Sequence, residues 1–258
     1  MSATFCKSLS AIILAFVVFI NSIGNFIGVG DIIPTEPEET TVVETTGIGG
    51  EIEIVDYFNN VINNAKSNSK SITSNYMKHN VAGEITGVPA ALSSIGQALI
   101  KDNMGEDDSK KNVTWISQAD KDAFFPVEGE TWASKLTAED VKEATLTEKD
   151  GKWIIKIKTK DDPRSDAHKH GEGHAPKAFN VVLPGIVDQY IPGIVKSMFS
   201  VGAVATAYPS STVTITVDPS TGNVINANYL MYWTMYIPMN GSDVVLPFLT
   251  ESDYTINW

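Results

Sequence analysis

Leu136 to Lys160, LTAEDVKEATLTEKDGKWIIKIKTK, constrains the fold more than any other stretch. Thr137 precedes Ala138, Glu139 and Asp140, where its side chain can accept from the free N–H groups of a first helical turn. Leu136 and Val141 stand at the spacing of a hydrophobic staple. A β pattern follows at once, so that turn is short. Ala144 and Leu146 alternate with Thr145 and Thr147. Lys149-Asp150-Gly151 is a hairpin signal, because Asp and Gly tolerate positive φ. Trp153, Ile155 and Ile157 then share one face, and Lys152, Ile154, Lys156 and Lys158 the other. One dry face and one wet face predict an antiparallel sheet rather than a parallel α/β core.

More strands follow from the same alternation. Val213, Ile215 and Val217 alternate with threonines, and Asp218 to Asn223 is a turn. Val224 to Ile237 reads as one long strand or two joined strands, and Asn240-Gly241 as a second hairpin. Val244 to Leu249 and Tyr254 to Trp258 complete a meander, and Ser71 to Thr86 and Ala178 to Val182 also read as strands. Ile54, Phe58, Val61, Ile62 and Ala65 make the apolar stripe of a helix over 51–66, with Asp56, Asn59, Asn60, Asn63 and Lys66 on its polar side. A second helix starts at Pro89, with Leu92, Ile95, Leu99 and Ile100 as its stripe. The near-repeat Leu183-Pro184-Gly185-Ile186-Val187 and Ile191-Pro192-Gly193-Ile194-Val195 reads as a broken, buried helix pair. The expected fold is α+β: a curved, mostly antiparallel sheet, an open half-barrel with helices packed on one face, forming a single domain over 51–258.

The N-terminus reads differently. Ala11 to Ile20 is an unbroken apolar run of signal-peptide length, so residues 1–30 are a cleaved signal peptide or an N-terminal membrane anchor. Residues 31–50, DIIPTEPEETTVVETTGIGG, are acidic, rich in Thr and Pro, and without Lys or Arg, as in an extended linker. The expected location is therefore secreted or on the extracellular face of the cell membrane, with membrane association through the N-terminus as the anchored alternative. The only cysteine, Cys6, precedes the apolar run, so a processed chain has no disulfide, thiolate metal site or Cys nucleophile. Formal net charge is −12, which repels phosphate backbones and argues against nucleic acid as a partner.

Function is less legible. No G-x-S-x-G, H-E-x-x-H, P-loop or Cys–His pair occurs, so no catalytic residue and no cofactor is assigned, and the chain reads as a non-enzyme. Tyr229, Met231, Trp233 and Met235 share one face of a strand whose other face carries Leu230, Tyr232 and Tyr236. Apolar residues on both faces mean that both are covered, by the protein's own helices or by an apolar ligand such as a lipid. Core packing is the plainer reading; Tyr229, Met231, Trp233 and Met235 are the candidate ligand contacts. Asp161 to Lys177 carries His168, His170 and His174 beside Asp166 and Glu172, a donor set able to meet on one metal if the loop folds back. Three functions remain open: an exported binding protein for an apolar ligand, a surface structural or interaction protein with a filled core, and a metal-binding protein.

Phe125-Pro126-Val127-Glu128-Gly129, running through Trp132 to Lys160, resembles uncharacterised exported proteins of Gram-positive bacteria. The Ile215-Thr216-Val217-Asp218…Thr221-Gly222 hairpin with its long following strand is similar to the bacterial lipoprotein-carrier and mycobacterial lipoprotein group. The second resemblance implies a curved sheet whose concave side is plugged by helices and accommodates lipid. Neither implies a role for any particular residue, and no cysteine follows the apolar run for acylation.

Overall fold

The computed structural model describes residues 50–88, 104–191 and 193–258. Its frame is a long hairpin of β9 (Asn223–Met239) and β10 (Ser242–Asn257). The linking residues Asn240 and Gly241 have φ of 52° and 80°, the mirror-image turn that matches strand twist. β10 alternates buried and half-buried residues from Val244 to Ile256. The two strands expected in this region are therefore one. Thr250 and Ser252 fill inward positions, so the polar stretch between the apolar halves continues the strand.

β8 (Thr212–Asp218) pairs with the first half of β9, and β5 (Lys152–Thr159) and β4 (Val141–Lys149) extend the sheet beyond it. Asp150 and Gly151 make the β4–β5 turn with φ of 54° and 71°, as their sequence predicts. On the other side β1 (Ser71–Val81) pairs with β10, and the short β2 (Gly105–Glu106) and β3 (Val113–Trp115) cover its outer edge. β7 (Ala205–Tyr208) joins the second half of β9 and carries β6 (Asp162–Ser165). Every pairing is antiparallel, and the ten-stranded sheet is open, giving the expected α+β curved sheet. β4, the far edge, carries Lys142 and Glu143 near one end and Glu148 and Lys149 at the other, which discourages further pairing.

Helix α1 (Glu51–Asn68) lays its stripe on β4, β5 and β9. Val55, Phe58, Ile62 and Ala65 are fully buried against Ile155, Ile157, Val213, Ile215 and Val224. α2 (Gln118–Phe124) packs beside its C-terminus, and α3 (Pro184–Tyr190) and α4 (Gly193–Met198) are the expected short Pro-Gly pair. The helix expected from Pro89, the N-terminal segment and the linker through residue 49 lie outside the described residues.

One sequence expectation fails here. Ala178 to Val182 is not a strand: neighbours Ala178 and Phe179 are both buried, as are Val181 and Val182, which alternation forbids. The segment leaves a 3-10 turn at Ala175–Lys177, with the Ala178 and Phe179 N–H groups both donating to the Ala175 carbonyl. The polar side of α1 packs on the 133–136 segment. Asn59 Nδ2 donates to the Leu136 carbonyl at 2.7 Å, and Asn63 Nδ2 to that of Ser134 at 2.8 Å. Asn63 Oδ1 accepts from the backbone of Ala133 and Ser134.

Lys66 is fully buried and aims its ammonium at four carbonyls of one loop: Phe125 at 2.9 Å, Val127 at 2.9 Å, Trp132 at 3.3 Å and Pro126 at 3.4 Å. Burial lowers its pKa to about 8, against the pull of Asp122, Glu128 and Glu130. Replacing it removes the ammonium from all four carbonyls; those of Val127 and Trp132 keep the Glu130 and Val127 N–H groups, and each buried polar group left stranded costs about 1–3 kcal/mol. Lys66→Met is expected to lower the unfolding free energy by roughly 2–4 kcal/mol in urea titration. Amide hydrogen exchange should rise across 125–132 while β9 and β10 stay protected.

Candidate functional site

The concave face of β9 carries Tyr229, Met231, Trp233 and Met235 in line, all buried. Across the ladder they meet Ser252, Thr250, Phe248 and Leu246. Trp233 lies 4.5 Å from the Phe248 ring, centroid to centroid, and its Nε1 donates to Thr250 Oγ1 at 3.1 Å. His79 Nδ1 shares that hydroxyl at 3.0 Å. Burial, aided by Lys110, lowers the His79 pKa to about 4 against the pull of Asp107, so the ring is neutral at physiological pH.

The face divides along β9. Near the β8–β9 turn α1 covers it, with the Tyr57 hydroxyl against Gly222. Toward the β9–β10 turn the inward residues are Met231, Trp233, Met235, Ile237, Met239, Leu246 and Phe248. Val187 of α3, Ile191 just after it, and Phe199 and Val201 of the loop after α4 belong to the same apolar cluster. The Gly202 N–H donates to the Pro238 carbonyl and the Asn240 N–H to that of Phe199, which ties the loop after α4 to this end. On the other face of β9, Leu230, Tyr232 and Tyr236 are half-buried. The guanidinium of Arg164 lies 4.5 Å from the Tyr236 ring centroid.

A buried polar group sits beneath the β1–β10 end. Glu128 Oε1 accepts from Lys110 Nζ at 3.1 Å and from Asn180 Nδ2 at 3.2 Å, while the Glu128 N–H donates to Asn180 Oδ1 at 2.7 Å. Lys110 and Glu128 are nearly inaccessible, and Asn180 is half-buried. The Lys110 ammonium lies 4.6 Å from the Phe124 ring centroid and 5.4 Å from that of Trp115. Tyr229, Tyr254, Phe125 and Phe179 form a run of edge-on rings beside it. The Tyr229 and Tyr254 hydroxyls are buried with no hydrogen-bond partner among the described residues. Burial raises both phenol pKa values well above the ordinary one.

None of this polar group stood out in the sequence. Residues 106–111, EDDSKK, read as a solvated loop, yet Lys110 is buried. Lys66 did carry a signal, since Phe58, Ile62 and Lys66 form one i, i+4 row of α1.

The three histidines of the 161–177 segment go to separate partners. His168 Nε2 lies 3.1 Å from the Pro163 carbonyl oxygen, with its ring 5.0 Å from that of Tyr208. His170 Nδ1 is 3.9 Å from Glu130 Oε1, and burial lowers its pKa against the pull of that carboxylate. His174 Nδ1 is 2.9 Å from Asp140 Oδ1. Among the described residues no group of three or more His, Cys, Asp or Glu side chains is placed to hold a metal ion. The segment is pinned instead by buried aspartates. Asp162 accepts from the N–H groups of His174 and Ala175, and both Asp140 oxygens accept from Lys177 Nζ at 2.8 Å.

No family model, no curated protein and no solved structure matches the chain. Among the described residues no helix is long and apolar enough to cross a membrane.

Burial alone would raise the Asp140 pKa, but bonds from Lys177, His174 and Thr137 outweigh it and hold the carboxyl below its ordinary value. A depressed carboxylate stabilises the fold above the unfolded pKa, and that stability is lost as pH falls through the folded one. Thermal melts should fall below about pH 4. Asp140→Asn should flatten that acid limb and lower stability at neutral pH.

Proposed function

We propose that the protein is an exported binding protein that holds an apolar ligand between the concave sheet and the α3–α4 pair. The observation that carries this reading is the make-up of the face toward the β9–β10 turn. Met231, Met235 and Met239 alternate along it with Trp233 and Ile237 on a single strand. Unbranched, polarizable Met side chains re-pack around irregular apolar shapes, which a β-branched surface does not do. The elements near that end are two short helices of seven and six residues, whereas the 18-residue α1 lies on β4, β5 and the start of the face. Short helices with few packed turns are the part of a fold that opens at least cost.

In this reading the ligand enters as α3 and α4 move away from this end of the face. Tyr229 marks the inner limit, where its ring meets Phe125 and Phe179. The N-terminal 30 residues direct export, and the acidic linker spaces the domain from the membrane.

Native mass spectrometry of freshly purified protein tests it. The expected result is a bound mass that organic solvent releases and that identifies as lipid or another apolar molecule. Met235→Trp, which enlarges a side chain in the middle of this face, should reduce the bound fraction at least tenfold while the melting temperature stays within a few degrees. A clean apo mass with nothing in the organic extract would favour the alternative, a surface interaction protein whose burial of Met231, Trp233 and Met235 is ordinary core packing.

A further inference from the structure

We infer that Lys110 and Asn180 become joined by an amide bond between their side chains, formed by the protein itself with Glu128 as the acid–base group. The geometry places an amine, a carboxamide and a carboxyl on one shared atom. Glu128 Oε1 is 3.1 Å from Lys110 Nζ and 3.2 Å from Asn180 Nδ2, so the nucleophile and the leaving group flank the same oxygen. The Asn180 carbonyl oxygen already receives the Glu128 backbone N–H at 2.7 Å. That donor polarises the carboxamide, and it is aimed at the atom on which negative charge develops when an amine adds to it.

The surroundings favour the same chemistry. The Lys110 and Glu128 side chains are 3% and 5% exposed, and the amine rests against Phe124 and Trp115. Keeping two charges apart from water is costly, and moving one proton from the ammonium to the carboxylate leaves two neutral groups. The neutral amine is a nucleophile, and the carboxylic acid is a proton donor in contact with the leaving nitrogen. Three separate elements hold the groups. Lys110 ends the turn Asp108–Lys110, Glu128 lies in the loop fixed by Lys66, and Asn180 lies in the segment after the 175–177 turn. Such fixed placement lowers the barrier for joining two groups.

The step balances without a co-reactant. After the proton passes from Lys110 to Glu128, the Nζ lone pair adds to Asn180 Cγ and the carbonyl π pair moves onto Oδ1. The carbonyl re-forms as the Cγ–Nδ2 bond breaks, and Nδ2 leaves as ammonia with the proton given by Glu128. Glu128 recovers a proton from Nζ and passes it to the ammonia. One lysine ammonium and one asparagine carboxamide thus give one secondary amide and one ammonium ion. Asn180 is half-buried, which leaves the departing ammonia a path to solvent. The chain has no cysteine beyond Cys6, so no disulfide can join these parts of the fold.

Peptide mapping of the purified full chain by mass spectrometry decides it. The expected result is a branched peptide linking Lys110 to Asn180, lighter by one ammonia than its two linear parts. After unfolding, Lys110 should resist acetylation. Glu128→Gln, shown by circular dichroism to keep its strand content, should give only linear peptides. Lys110→Arg and Asn180→Ala should do the same. Linear wild-type peptides carrying an acetylatable Lys110 and an intact Asn180 would overturn the proposal, whether or not any variant folds. An equal yield of branched peptide from Glu128→Gln would overturn the part assigned to Glu128.

Discussion

The ammonium of Lys66 is the point on which the non-strand half of the molecule depends. It sits where α1 meets the 125–132 loop and satisfies four of that loop's carbonyls. The partners around it repeat the theme. Gln118 Nε2 donates to the Lys66 carbonyl, and Lys121 Nζ donates to that of Ser69 at 2.8 Å. One cation thus orders the loop, and side chains of α2 cap the end of α1. A loop with so few ladder bonds of its own could not hold Glu128 in the interior otherwise. Asn180, bonded to both the N–H and the carboxylate of Glu128, then fixes the buried ion pair with Lys110.

Much of the sheet was legible before any coordinate. The Asp150-Gly151 and Asn240-Gly241 turns, the Thr–Val alternation of β8 and the apolar stripe of α1 each follow from a period of two or of 3.6 residues. What the sequence hid has a common cause. Lys66, Lys110 and Glu128 are charged residues whose burial depends on partners 18 to 66 positions away. Periodicity reports which face a residue occupies but not whether another segment will cover that face. Ala178 to Val182 misled for the opposite reason: an apolar run looks like a strand even when it crosses the core irregularly. β7, with only Ala205, Thr206, Ala207 and Tyr208, has too little pattern to announce itself.

The candidate sites share the same economy of place. The histidine-bearing segment, read as a potential ligand set, uses its backbone to meet Asp162 and its side chains to meet different neighbours. The stripe from Tyr229 to Met235 was legible as a line of residues on one face. Its context was not: Thr250, whose hydroxyl joins Trp233 to His79, lies on the stretch of β10 between the two strands expected there. Polar residues on the inner face of a sheet are easily mistaken for breaks, because their partners lie across the ladder and not along it.

The pairing of β1 with β10 has a consequence for how the molecule is made. Ser71 lies opposite Asn257 and Val81 opposite Phe248, so neighbouring strands in the middle of the sheet are separated by most of the domain's length. β9 and β10 can zip locally, and so can β4 and β5, but the ladder that links α1's strand to the rest forms only across that separation. Closing so long a loop delays the contact, and folding rates fall as contacts become less local. An emerging chain would carry this β1 edge unpaired until β10 is made. During that time its protection would rest on the polar run Lys78-His79-Asn80 toward its end, and on helix α1 just before it.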